Sequence, residues 1–223
     1  MKNFAGIILL LCVAIGCTLP NLGTQTNSPT ASNASGTGTA PASSSSGTFT
    51  STGDPIADLK EISKRFTEVK AFQAQTRGSG EKPFNMDAGF VAPDRYRIQT
   101  GAMESIIIGK DVYTKVGGTW RKFPMSTNQS IPTLRDMFTE EGLKSMTDAR
   151  FDGDDTLDGE AALLYSYKGA GVKGVSSYDS KLWISKSSGL PLKVEVNYDT
   201  GQLKQATITY TYDENATIEA PIK

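Results

Sequence analysis

Beyond residue 72 the chain alternates apolar and polar side chains with a period of two, the repeat of a strand whose two faces meet different surroundings. Phe72, Ala74 and Thr76 alternate with Gln73, Gln75 and Arg77, and Tyr96, Ile98 and Thr100 alternate with Arg95, Arg97 and Gln99. Residues 106–108 and 111–116 flank Gly109-Lys110, which reads as a hairpin turn, and Gly117-Gly118 marks another before residues 119–123. Toward the C-terminus the pattern is cleanest. Leu163, Tyr165 and Tyr167 share a face, Leu192, Val194, Val196 and Tyr198 share one, and Ile208, Tyr210 and Tyr212 lie opposite Thr207, Thr209 and Thr211. One wet face, one covered face and short turns predict antiparallel pairing.

Two stretches carry a helical repeat instead. Asp54-Pro55 supplies an N-cap and a proline at the first helical position. Ile56, Leu59, Ile62, Phe66 and Val69 then recur at helical spacing, with Lys60, Glu61, Lys64, Arg65 and Glu68 on the other side. Over residues 130–147, Ser130 caps, Pro132 starts, and Leu134, Met137 and Phe138 make an apolar patch; Gly142 is expected to end or bend this helix before Leu143 and Met146. Two helices cannot cover a flat sheet of nine or ten strands, whereas a curved sheet wrapped around them can. The expected fold is therefore α+β: a single curved antiparallel sheet, an incomplete barrel, covered on its concave face by two helical segments.

The N-terminal quarter departs from both repeats. Lys2 precedes an apolar run over residues 6–16, the arrangement of a secretory signal, and the run is too short to span a bilayer. Val13-Ala14-Ile15-Gly16-Cys17 resembles the bacterial lipobox, in which Cys17 receives a diacylglycerol and becomes the mature N-terminus. Residues 18–53 are uncharged and rich in Ser, Thr, Gly, Ala, Asn and Pro, a composition that cannot repay its ordering entropy. As a flexible linker this stretch reaches roughly 30–35 Å. The expected organisation is a lipoprotein signal peptide (1–16), a lipidated Cys17 with a disordered tether (17–53), and one folded domain (54–223).

Composition removes several classes of function. The 23 Lys and Arg nearly balance the 24 Asp and Glu, and no basic run points to nucleic acid. Histidine is absent and the two cysteines are Cys12 and Cys17, so the domain has no Ser-His-Asp, Cys-His or histidine–zinc chemistry to draw on. No phosphate-binding loop of the GxxxxGK[ST] type occurs. Asp152, Asp154, Asp155 and Asp158 cluster, but Thr156 and Leu157 stand where a calcium loop needs an acidic ligand and a glycine. A solvated strand connection turning at Asp158-Gly159 is the favoured reading. Asp154 and Asp158 are no stronger as a glycosidase pair, since acidic pairs arise in any chain of this composition. Trp183 falls out of phase with Leu182 and Ile184, which places it on the outer face beside a neighbouring lysine stem or at a partner surface. No catalytic residue, metal site or cofactor is expected.

A series of short motifs runs through the domain: Phe90-Val91-Ala92-Pro93-Asp94-Arg95-Tyr96-Arg97, Ile108-Gly109-Lys110-Asp111-Val112-Tyr113, Trp120-Arg121-Lys122-Phe123-Pro124, Leu157-Asp158-Gly159-Glu160, Leu182-Trp183-Ile184-Ser185-Lys186, Ser188-Gly189-Leu190-Pro191-Leu192-Lys193 and Ile218-Glu219-Ala220-Pro221. In this order they resemble the lipoprotein-carrier (LolA-like) superfamily, and most of all its membrane-anchored lipid-binding lipoproteins of the LppX and LprG kind. The resemblance implies an incomplete barrel with an apolar cavity between sheet and helices that accepts acyl chains. Candidate lining residues are Phe66, Phe72, Tyr96, Ile98, Met137, Phe138, Met146, Tyr165, Val194 and Tyr210. The implied partner is a lipid or acylated lipoprotein, with the membrane reached through the N-terminal anchor. The implied location is the cell envelope, on the periplasmic face of an outer membrane or the outward face of a single membrane. A non-enzymatic envelope sensor or protein-interaction module on the same scaffold is the alternative.

Overall fold

The computed structural model describes residues 48–124, 140–169 and 177–222. The first helix, α1 (Pro55–Glu68), starts where Asp54 accepts hydrogen bonds from the backbone N–H groups of Ile56 (3.0 Å) and Ala57 (3.2 Å). Six strands follow: β1 (Ala71–Gly80), β2 (Phe84–Val91), β3 (Arg95–Thr100), β4 (Met103–Ile108), β5 (Asp111–Val116) and β6 (Thr119–Pro124). After a short helix α2 (Glu140–Lys144) come β7 (Met146–Leu157), β8 (Glu160–Gly169), β9 (Tyr178–Ser185), β10 (Pro191–Tyr198) and β11 (Leu203–Tyr212).

All eleven strands form one antiparallel sheet in the order β6-β5-β4-β3-β2-β1-β11-β10-β9-β8-β7. Each half is a simple meander, and pairing of β1 with β11 joins the two halves. The edge strands β6 and β7 do not pair, so the curved sheet stays open. The expected α+β architecture is thus the observed one.

The strands beyond the expected nine or ten have a physical reason for being hard to see. In β2, Phe84, Met86, Ala88 and Phe90 share one face, but Ala88 and Gly89 dilute the contrast. In β7, irregularities between Thr147 and Arg150 and between Phe151 and Gly153 shift the phase, so no single alternation runs through the strand. Asp152, Asp154 and Asp155 lie within β7, and the turn itself is Asp158-Gly159. The helical reading of residues 130–147 needs correction in its described part. Gly142 lies inside α2, and Ser145 ends the helix by donating to the Gly142 carbonyl from its N–H (3.1 Å) and its hydroxyl (2.7 Å). Met146 then opens β7.

One face of the sheet receives α1 and is called the inner face. Leu59, Ile62 and Phe66 of α1 meet Phe72, Ala74, Leu163, Tyr165, Leu182, Ile184, Val194 and Tyr210 in one continuous core. Ile56, expected on the apolar stripe, is exposed; the buried stripe instead includes Asp58. The outer face carries a small second cluster, in which Ile218 of the C-terminal tail packs with Ile106 and Tyr113. Arg95 fixes that tail by donating to the Ile218 carbonyl at 2.6 Å.

Candidate ligand-binding face

The inner face divides into a covered half and an open wing. Pairing register places Phe72, Phe90, Tyr96, Ile107, Val112 and Phe123 side by side across β1 to β6. Aromatic stacking continues this row into α1. Ring centroids lie 5.0 Å apart for Phe66–Phe72, 5.4 Å for Phe72–Phe90 and 5.2 Å for Phe90–Tyr96. Tyr210 closes on Phe66 edge-to-face at 5.6 Å. Five inter-strand steps of about 4.8 Å make the row from β1 to β6 roughly 24 Å long.

Its two ends differ in exposure. Phe66 is 0% exposed and Phe72 3%, whereas Phe123 is 46% exposed. Met103 (56%) and Val116 (50%) are exposed on the same face, four residues along their strands from Ile107 and Val112 of the row. A recess of about 390 Å³ lies at the wing's rim between Pro83, Phe84, Asn85, Thr100 and Gly101. A second groove, about 230 Å³, runs on the outer face beside Gln75, Arg97, Gln99 and Thr217.

Of the ten candidate lining residues, Phe66, Phe72, Met146, Tyr165, Val194 and Tyr210 fall in the covered core. Tyr96 packs against that core, and Ile98 lies on the inner face of the wing, half-buried. Met137, Phe138 and Cys17 lie outside the described residues. Among the described residues no helix is long and apolar enough to cross a membrane.

The covered half is locked by a group that sequence periodicity did not single out. Asp58, 1% exposed, accepts from Ser51 Oγ (2.6 Å), Thr52 N (3.0 Å), Thr52 Oγ1 (2.7 Å) and Tyr165 Oη (2.9 Å). Burial alone would raise its carboxyl pKa, but the hydrogen bonds from Ser51, Thr52 and Tyr165 outweigh burial and hold it below the ordinary value. Burial pushes the Tyr165 phenol far up. The segment before α1 is therefore a strap. Phe49 is buried, its N–H donates to the Lys186 carbonyl at 2.6 Å, and Arg65 stacks over its ring at 5.2 Å. Gly189 takes φ +72° under this strap, where a Cβ would meet Arg65 Cδ at 2.9 Å. An acidic residue in the first turn of a capped helix, with hydroxyls just upstream, was the available signal; its partner Tyr165 lies 107 positions away.

The outer-face readings resolve into packing. Trp183 donates from Nε1 to Asp155 Oδ2 at 2.8 Å, and Lys193 Nζ sits 5.0 Å from its ring. The Asp155 carboxyl is lowered chiefly by that indole bond. Asp154 pairs with Lys186 at 2.9 Å.

The chain is an open, curved antiparallel sheet folded against a helix, with its apolar face inward, and it shares this fold with solved structures. Among solved structures it is similar to LprF from Mycobacterium bovis, with a TM-score of 0.56 and 15% identity over 76% of this chain and 97% of that one. It is likewise similar to the Mycobacterium tuberculosis lipoprotein LppX, with a TM-score of 0.52 and 12% identity over 76% of this chain and 100% of that one. No protein-family model and no curated protein sequence matches the chain.

Proposed function

We propose that this protein is a lipoprotein of the bacterial envelope, anchored through Cys17, that binds or hands on a lipid or an acylated client without catalysing a reaction. The observation that carries this reading is the apolar row from Phe66 to Phe123, buried at one end and open at the other. A hydrocarbon tail laid along it keeps apolar contact from the exposed edge to the core. Each CH₂ so buried contributes about 0.8 kcal/mol, so a long chain binds firmly with few polar contacts. The candidate set Phe66, Phe72, Tyr96, Ile98, Met137, Phe138, Met146, Tyr165, Val194 and Tyr210 is the lining a deeply seated tail would meet. Met103 and Met146 suit a variable guest, because a thioether chain adapts to irregular shapes.

The fold shared with LprF and LppX supports a carrier architecture, and the lipobox around Cys17 supports the anchor. The test is to purify the full chain from membranes, identify co-purifying lipids by mass spectrometry, and titrate a fluorescent fatty acid against them. Stoichiometric lipid and displaceable probe binding are expected. A lipid-free protein that binds no probe overturns the carrier reading and leaves an interaction module on the same scaffold.

A further inference from the structure

The outer-face groove of about 230 Å³ takes no part in the inner-face reading. Its floor is made of two neighbouring cross-strand rows: Gln73, Gly89 and Arg97 in one, and Gln75, Asp87 and Gln99 in the next. Its wall is the C-terminal tail at Ala216, Thr217 and Ile218, fixed where Arg95 donates to the Ile218 carbonyl. Gly89 stands at the centre of the floor. Glycine inside a strand weakens it, and marks a bulge, a left-handed φ or a place where something approaches closely. Both ladders pass through Gly89 without a register shift, and its φ lies outside the left-handed region. The tail does not require it either. An added Cβ would lie 3.7 Å from Ile218 Cδ1 and 3.9 Å from Arg97 Cβ, which are ordinary contact distances. What the missing side chain leaves is space between Gln73 and Arg97.

The surroundings of that space are polar and electrically balanced. Asp87 pairs with Arg77 at 2.7 Å, and Arg97 with Glu104 at 2.6 Å, so both charges lining the groove already have partners. Gln73, Gln75 and Gln99 are exposed, and their carboxamides bond to no other described residue. Each offers an acceptor oxygen and two N–H donors. Val91 and Ile218 add an apolar edge. An ionic ligand finds no unpaired opposite charge here, and a hydrocarbon would bury the carboxamides unsatisfied. A peptide has no free strand edge to extend, because β1, β2 and β3 are each paired on both sides. The volume is below the roughly 300–1,000 Å³ of a drug-sized site, which suits a single sugar ring.

We infer that this groove binds one unit of a neutral glycan that carries N-acetyl groups. Ring hydroxyls and the acetamido group exchange hydrogen bonds with the three carboxamides. The acetyl methyl lies against Ile218 and Val91, and the ring fills the gap at Gly89. The site uses the face opposite the apolar row, so it stands independently of the lipid-carrier reading.

The test titrates the full chain, held in a detergent without a sugar headgroup, by calorimetry with three probes. These are tri-N-acetylchitotriose, cellotriose (hydroxyls in place of the acetamido groups) and a blocked alanine peptide. The parent is expected to bind chitotriose several-fold more tightly than cellotriose, and not to bind the peptide. Gln75→Ala/Gln99→Ala should weaken chitotriose binding about tenfold, the loss expected for two hydrogen bonds. Gly89→Ala should weaken it several-fold by filling the gap, with a melting temperature unchanged or higher because alanine suits a strand better. Both variants should capture a fluorescent fatty acid as the parent does. Cellotriose bound as tightly as chitotriose overturns the N-acetyl assignment. A parent that binds neither sugar, or chitotriose binding that neither variant weakens, overturns the site and leaves the carrier reading to its own fatty-acid test. Peptide bound in preference to both sugars overturns the glycan in favour of a peptide groove.

Discussion

The two halves of the inner face are built from similar residues and behave differently. Around α1, aromatic and aliphatic side chains of β1 and β8–β11 interdigitate and are almost fully enclosed. Across β3–β6 the same alternation continues, yet Met103, Val116 and Phe123 remain about half exposed. Strand patterning marks a face as apolar, but enclosure depends on what lies over it. The covered half supplies stability, and the wing presents accessible apolar surface.

The contrast is most open to attack through Phe66. Phe66→Ala removes the ring that touches Phe72 and Tyr210 and should cost roughly 3–5 kcal/mol in denaturant unfolding. A loss below 1 kcal/mol would erase the distinction between the halves.

Next comes Asp58→Asn, which keeps shape but loses charge-assisted bonds from Ser51, Thr52 and Tyr165, at about 2–3 kcal/mol. The pH dependence follows from sign. The folded protein holds this carboxyl below its unfolded value of about 3.9, so the folded state binds fewer protons there. The stabilisation is complete above that value and is lost as pH falls through the folded pKa. Thermal melts from pH 7 down to pH 2 should show an acid loss that is shallower in Asp58→Asn, and parallel curves would refute the assignment.

Trp183→Phe should cost about 1 kcal/mol through the lost bond to Asp155 and the weakened Lys193 contact, measured by the same unfolding curves. The smallest effect on stability is expected in the wing. Met103→Gln and Phe123→Gln should each stay within about 0.5 kcal/mol of the parent, while reducing capture of a fluorescent fatty acid several-fold. Unchanged capture would remove the wing from the binding path.

Much of the frame was legible in the sequence. Asp54-Pro55 marked the start of α1, and Thr207, Thr209 and Thr211 set against Ile208, Tyr210 and Tyr212 fixed both faces of β11. Trp183 was placed on the outer face by phase alone, and Lys193 is its lysine neighbour. Legibility failed where structure depends on distant partners or phase changes. The bulges of β7 interrupt its alternation, and Ser145 ends α2 in place of Gly142. Asp58 reads as a solvated helix residue until Tyr165 arrives from β8 to meet it. At the site, the sequence could nominate Phe72 and Tyr210 as inward-facing. That they lie packed beneath α1, with the accessible surface on β3–β6, depends on how far one helix reaches across eleven strands.

The chain enters the domain at Phe49, moored to the Lys186 carbonyl and clasped by Arg65. A pull on the chain at Phe49 would therefore load the turn between β9 and β10, on the far side of the β1–β11 seam from the edge at β6.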